Sequence, residues 1–429
     1  MGSGVGVLGV VVLLLIAWGI SSDRGRLPWR IIVGGVAMQV ALAALLLKTP
    51  GVVDVFNGIA SLINDAISAA ESGTGFVWGH LADTGAQGER FVFAIHAMAI
   101  VIFFASLVSV LYHLGVMQRL IAALAWVLRR TLGVTGAEAL ATAANVFVGQ
   151  TEAPLCVKPY IERMTRSQLM TLMVGGFATI AGSVLAAYVG MLGGTDDAAR
   201  ELFIRHLLTA SLMSAPAAFV VAKIIVPETQ EPFDEVVCMS AIERPHVNAL
   251  DAAAGGASEG MKLALNIVAM IIAFVSIVAL INMPLGWIGR SLDGNHADGV
   301  GLQTLSIETI LGEVFTPLAW SMGIEWRDCA PVGSLMGQKI VLTEFIAYMR
   351  LGEMINAEGE TRLSPRSGQI AAYALCGFAN FASIAIQIGG FSVIAPGRRA
   401  DFVTLGLRAM IGGALASWMT ASIAGLFIA

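Results

Sequence analysis

Between Val5 and Ile20 the chain carries no charged side chain, and apolar stretches of this kind recur all the way to Ile428. A helix needs roughly 18–20 apolar residues to cross a bilayer, where each backbone polar group must find a partner inside the protein. Repetition of such stretches makes this an all-α polytopic membrane protein. Composition agrees: 57% of residues are hydrophobic and 13% charged, with a mean hydropathy of +0.79, whereas soluble domains carry roughly 25% charged residues. The net charge of −5 says little about partners, because loop asymmetry rather than total charge governs a membrane chain. No basic patch with interleaved aromatics points to nucleic acid. Cys156, Cys238, Cys329 and Cys376 are scattered without CxxC or Cys/His spacing, which supports neither a disulfide framework nor a zinc site. The first apolar run lacks a basic leader and an A-x-A site, and reads as a retained span.

Eight spans are expected, at about 4–20, 31–48, 91–114, 168–194 (interrupted by Gly175, Gly176 and Gly182), 202–224, 263–283, 368–394 (interrupted around Asn380) and 402–428. Residues 53–70, 117–132 (with Arg119, Arg129 and Arg130) and 305–322 read as interfacial helices. Residues 225–261 form the longest polar loop, and 83–90, 284–300 and 353–367 read as shorter ones. Trp126, Trp287 and Trp320 suit interface anchors, and His96 and His113 suit packing or snorkelling. Of 25 Lys and Arg residues, 14 fall on loops that share one side if the first span starts outside. That bias predicts both termini outside the cytoplasm.

Two segments break the apolar pattern. Asn145, Gln150, Thr151 and Glu152 crowd around Gly149, with Pro154 just beyond, and apolar helical sequence leads in and out over about 137–163. Each arm has about a dozen residues, too few to cross alone, so a re-entrant hairpin is expected. An ionisable residue at such a break is a functional-site hypothesis by default. The second segment, 328–352, carries Thr343-Glu344 near its middle. After each, the same order follows: Arg166-Ser167-Gln168 recurs as Arg366-Ser367-Gly368-Gln369, and Gly176-Phe177-Ala178-Thr179-Ile180-Ala181-Gly182-Ser183 recurs as Gly377-Phe378-Ala379-Asn380-Phe381-Ala382-Ser383-Ile384. A hairpin plus an interrupted span therefore occurs twice, and the two intervening spans invert the second copy. Inverted repeats with discontinuous helices are the architecture of secondary transporters, with the substrate site at the repeat interface. The acidic tips of the two hairpins are expected to meet there.

The segments around Gly149–Leu155, Thr343–Tyr348 and Gly377–Ile384 resemble the signature segments of the concentrative nucleoside transporters, from about residue 90 to the C-terminus. A bacterial member is most similar. The resemblance implies a homotrimer in the cytoplasmic (inner) membrane, importing nucleosides with a cation by an elevator-like movement of a transport domain against a scaffold. Residues 1–115 would belong to the scaffold side, 116–200 to the transport domain with the first hairpin, 201–325 to spans five and six, and 326–429 to the second hairpin with spans seven and eight. Carried over by motif, Gly149, Gln150, Thr151 and Glu152 with Val184 would face the nucleobase. Glu344, Asn380 and Ser383 would hold the ribose, with Phe378 close by. Asn145, Val148, Thr179 and Ile180 would form a sodium site. The chain departs from the expected pattern at Thr179, where a serine is usual, and at Thr343, where asparagine is common.

These residue types suit the chemistry. A nucleobase edge offers paired donors and acceptors that amides and carboxylates meet, and ribose hydroxyls donate well to a carboxylate. Two buried carboxylates without nearby Lys or Arg would repel an anionic substrate. Sodium, a hard cation, favours side-chain and freed backbone oxygens. The expected function is sodium-coupled nucleoside symport. Alternatives are proton coupling through Glu152 or Glu344, another neutral solute such as a nucleobase, and a passive channel. No HExxH motif accompanies Glu152 and Glu344, which argues against an enzyme that uses them as acid and base.

Overall fold

The computed structural model describes residues 4–82, 93–234, 246–292, 305–359 and 362–428, and every regular element among them is helical. The expected polar turn at 83–90, most of 225–261's centre (235–245), the end of 284–300 and residues 360–361 lie outside the described residues.

The first two spans appear as α1 (Val5–Gly19) and α2 (Trp29–Lys48). The interfacial helix expected at 53–70 is longer: α3 runs Pro50–Trp78, 29 residues, and is long and apolar enough to cross a membrane. Pro50 starts it, where the missing N–H is no loss, and Gly79 ends it with φ +56°. Gly73 and Gly75 fall in its second half. The buried stripe Ala60, Asn64, Ile67, Ala70 and Thr74, spaced by three and four, carries the helix through them.

Next come α4 (Phe93–His113) and α5 (Val116–Leu132), separated by Gly115 in the left-handed conformation, and α5 closes at Gly133 with φ +68°. The first broken segment starts at a Thr135/Glu138 capping box as α6 (Gly136–Asn145). Its second arm is not a dozen-residue helix. A 3-10 turn, Ala153–Val157, and one helical turn, α7 (Lys158–Ile161), stand in its place. Pro154 and Pro159 each remove a backbone donor from that arm, so no continuous ladder can form.

The first interrupted span divides into α8 (Arg166–Ala178) and α9 (Gly182–Gly193), with the break at Thr179, Ile180 and Ala181. Gly175 and Gly176, expected to interrupt it, lie inside α8 and serve close packing instead. Then follow α10 (Asp197–Ile225) and α11 (Ala249–Leu292). At 44 residues α11 far exceeds the expected 263–283, because the Ala-rich sequence from residue 249, read as loop, is good helix former. The last interfacial helix expected is α12 (Ile307–Ser321), capped by Ser306. The second copy reads α13 (Trp326–Val341), a two-residue break at Leu342-Thr343, α14 (Glu344–Ile355), α15 (Pro365–Leu375), a break at 376–380, and α16 (Phe381–Ile394). The chain closes with α17 (Arg399–Gly425).

Among the described residues seven helical stretches are long and apolar enough to cross a membrane, while α1 and α16 are apolar but shorter. The interior is built from α8, α9, α10 and α17, most of whose residues are buried. By contrast α2, α4 and α11 leave most of their apolar surface outward, Leu265, Ile272, Leu280 and Trp287 among them. Outward apolar surface of that extent suits lipid rather than water.

Candidate functional site

Glu344 is the first residue of α14, immediately after the second break, and is buried. The break leaves its carboxylate facing α9 and the start of α16. Tyr188 of α9 donates its hydroxyl to Glu344 Oε1 at 3.1 Å, and Asn380 donates Nδ2 to Oε2 at 2.8 Å. Asn380 is itself fixed, because its Oδ1 caps α16 by accepting the Ser383 backbone N–H at 2.8 Å. Tyr188 stacks on Tyr348 with ring centroids 4.3 Å apart and meets Phe345 edge-on at 4.9 Å. Two donors therefore hold the carboxylate in one orientation, and its remaining lone pairs are free for a ligand's hydroxyls. Ser383 is buried on the same face of α16, and Phe378 sits half-buried in the break before it.

The first break meets the other end of that face. Gln387, one turn past Ser383, donates Nε2 to Gln150 Oε1 at 3.0 Å and to the Met173 carbonyl at 3.1 Å. Gly390 lies against Thr151, whose Cγ2 would be 3.2 Å from any added Cβ. Asn380, Ser383, Gln387 and Phe391 thus form one buried stripe on α16, about 10 Å from the Glu344 end to the Gln150 end at 1.5 Å per residue. Glu152 is placed differently. It is exposed, and its Oε2 accepts the Gly149 N–H at 2.7 Å, closing its own turn. Among the described residues Glu152 and Glu344 share no hydrogen-bond partner, so the acidic tips expected to meet do not touch; α16 is the element that contacts both breaks. Val184 is buried in α9.

A third station lies where α6 and α8 end. The Asn145 side chain fits against Gly175 and Gly176 of α8, where side chains would collide with it or with Gln387 and Gln150. Both Asn145 side-chain polar atoms and the neighbouring Thr142 Oγ1 are buried without a hydrogen-bond partner. Thr179 spends its hydroxyl proton on the Gly175 carbonyl at 2.9 Å, leaving oxygen lone pairs unused. Val148 and Ile180, at the two breaks, are buried nearby in sequence. Two helix C-termini converge here, each with unpaired carbonyls and partial negative charge. An oxygen-rich, electronegative cup with orphaned amide and hydroxyl atoms fits a hard monovalent cation.

Comparison with known proteins decides the family. The families described as Na+ dependent nucleoside transporter N-terminus and C-terminus match residues 8–81 and 206–425, and the one described as Nucleoside recognition matches 94–195. The chain is 41% identical over 429 residues to the nucleoside permease NupC of Helicobacter pylori, covering 98% of this chain and 97% of that one. Its fold superposes on CNTnw in an inward-facing substrate-bound state with a TM-score of 0.89 at 40% identity, over 100% of this chain and 98% of the other. A CNTnw variant in an outward-facing state matches with a TM-score of 0.88. The chain belongs to the concentrative nucleoside transporter family. It is an integral membrane transporter and not an enzyme.

Within this transporter, sequence reasoning missed Tyr188 and Gln387. Both are polar side chains in otherwise apolar helices, α9 and α16, and that isolation was the available signal. It was masked because a tyrosine or glutamine within a span is also ordinary packing. Thr343, where asparagine is common, occupies the cap position of α14 with its hydroxyl buried and unpartnered among the described residues.

Proposed function

We propose that this transporter imports nucleosides across the bacterial inner membrane together with sodium. The carrying observation is the Glu344 carboxylate, buried and held by Tyr188 and Asn380 with acceptor capacity left over. Vicinal ribose hydroxyls are the ligand groups that match two carboxylate oxygens, and the bonds would be charge-assisted. The base would reach toward Gln150, Thr151 and Glu152, about 10 Å along α16. Among the described residues no Lys or Arg side chain forms an ion pair with Glu344 or Glu152, so no cation in contact with either carboxylate would receive a nucleotide's phosphate.

Sodium would travel as a co-substrate, held by Asn145 and Thr179 side-chain oxygens and by carbonyls near Val148 and Ile180. The site adjoins Gly176, whose neighbours include both Asn145 and Gln150. Filling the cation site would therefore fix the residue that faces the base, which couples the two ligands. The repeats would be inverted, with re-entrant tips, and the domain formed by the breaks would move as an elevator against the outer helices of a homotrimer. In this arrangement both termini face away from the cytoplasm.

The test is uptake of labelled uridine and adenosine into proteoliposomes under a sodium gradient, a proton gradient or neither. Accumulation only with sodium is expected. Accumulation that follows pH and ignores sodium would transfer coupling to protons, and flat uptake throughout would sink the reading. Competition by free uracil as strong as by uridine would replace the nucleoside with a nucleobase, since a site built to bond ribose rejects ligands lacking it.

A further inference from the structure

The two repeats treat the same structural station in opposite ways. In the first, α6 and α8 end together around Asn145, a neutral amide with orphaned polar atoms. In the second, α13 packs on α15, and both helices end together around Lys339. Lys339 lies in the last turn of α13, five residues before Glu344, and is fully buried. Its Nζ donates to the carbonyl of Ala374, the penultimate residue of α15, at 3.0 Å. No carboxylate pairs with it among the described residues. That separates it from the other buried lysine, Lys223, whose Nζ lies 2.6 Å from Glu138 Oε1.

A buried ammonium without a carboxylate is costly unless something else carries opposite charge. Here the opposite charge comes from the pair of helix C-termini, whose last carbonyls are partly negative, and from the Glu344 carboxylate, which lies beyond ion-pair contact but within electrostatic reach. The same electrostatic feature invites a cation at Asn145. No Lys or Arg occurs anywhere in α6, so that station is open to an ion from solution. The second station already contains one on a tether.

We propose that Lys339 is a built-in cation occupying, in the second repeat, the place that exchangeable sodium takes in the first. By neutralising the ends of α13 and α15 it holds the second break, and hence Glu344, in its ligand-ready position without an ion from solution. Lys339 is a positioning residue: it reaches the ligand only through the break that sets Glu344. The inference rests on the nucleoside and sodium reading above and assigns one exchangeable cation to the two breaks of each protomer.

The experiment is equilibrium binding of labelled uridine to the purified full-length protein across a sodium titration, for wild type, Lys339→Met, Lys339→Gln and Lys339→Arg. Wild type is expected to show a sodium Hill slope near one. Lys339→Met is expected to raise the uridine Kd at least about tenfold at saturating sodium, while sodium-dependent thermal stabilisation without nucleoside is retained. Lys339→Arg, which keeps the charge, should stay within about threefold. Lys339→Gln, which recreates the amide of the first repeat, should bind uridine only at raised sodium, with a slope moving above one. A folded Lys339→Met protein with wild-type uridine affinity would overturn the proposal. So would a wild-type slope near two, a result that needs no variant to fold and leaves sodium-coupled nucleoside transport standing. Uridine binding indifferent to sodium in wild type would overturn the sodium reading and this inference together.

Discussion

The two helix breaks descend from the same sequence pattern, yet the second is tight and the first is slack. At the second, two residues separate α13 from α14, and Glu344 is buried with a donor on each carboxylate oxygen. At the first, residues 146–152 intervene, two prolines spoil the following arm, and Glu152 is exposed with its carboxylate turned to its own Gly149 N–H. A carboxylate pinned by neighbouring helices is preorganised, which lowers the ordering cost of binding. One pinned only by its own turn can be released when a ligand arrives. In the proposed function the sugar, common to every nucleoside, would belong to the rigid break, and the base, which varies, to the adaptable one.

The comparison breaks most directly if the same substitution is made in both places. Glu344→Gln removes the charge and replaces one acceptor oxygen with an NH2, which avoids the Asn380 amide donor only by facing the Tyr188 hydroxyl and turning it from donor to acceptor. Lost charge-assisted bonds and this rearranged network together predict a loss of uridine uptake of about 100-fold or more. Glu152→Gln keeps an acceptor for Gly149 and loses only charge, so about a tenfold loss is expected. Labelled uptake in proteoliposomes measures both, and equal losses would remove the distinction between the breaks.

The next effect concerns the cation station. Asn145→Ala takes away buried polar atoms that have no protein partner, so folding should lose little. Sodium should bind at least about tenfold more weakly, because a direct oxygen ligand is gone. The half-saturating sodium concentration for uridine uptake is the quantity to follow. An unchanged value, with a lower melting temperature, would make Asn145 a helix-end residue only. A smaller change is expected from Tyr188→Phe. It leaves Glu344 Oε1 short of one donor while keeping the stack on Tyr348, and uridine Kd should rise about fivefold.

Much of this arrangement is legible in the sequence alone. Polar residues concentrated around Gly149 and at Thr343-Glu344 stand out against apolar surroundings, because membrane depth makes each of them costly without a purpose. The repeated Gly-Phe-Ala element marked both interrupted spans. What could not be read were the lengths and the partners. The Ala-rich start of α11 and the Gly-containing end of α3 look like loop to composition, and become helix through the faces they bury. Gly175 and Gly176 looked like breaks because nothing in the local sequence reveals that Asn145, Gln150 and Gln387 press against them. The same holds for Tyr188, whose partner Glu344 is far away along the chain.

The smallest prediction is also the most internally controlled. Gly389 and Gly390 are adjacent on α16, but a Cβ at Gly389 meets nothing within 4 Å, whereas one at Gly390 meets Thr151 Cγ2 at 3.2 Å. In a helix interior, Gly to Ala alone stabilises by roughly 0.5–1 kcal/mol. Gly389→Ala should show that gain as a higher melting temperature, with uridine affinity unchanged. Gly390→Ala receives the same helical gain, so any contrast between the two reports the contact with Thr151. If α16 and the first break form one surface for the base, Thr151 must yield by a few tenths of an ångström and uridine Kd should rise about twofold. Equal affinity in the two variants would detach the first break from α16, leaving the Gln150–Gln387 hydrogen bond as packing between helices rather than the floor of a shared site.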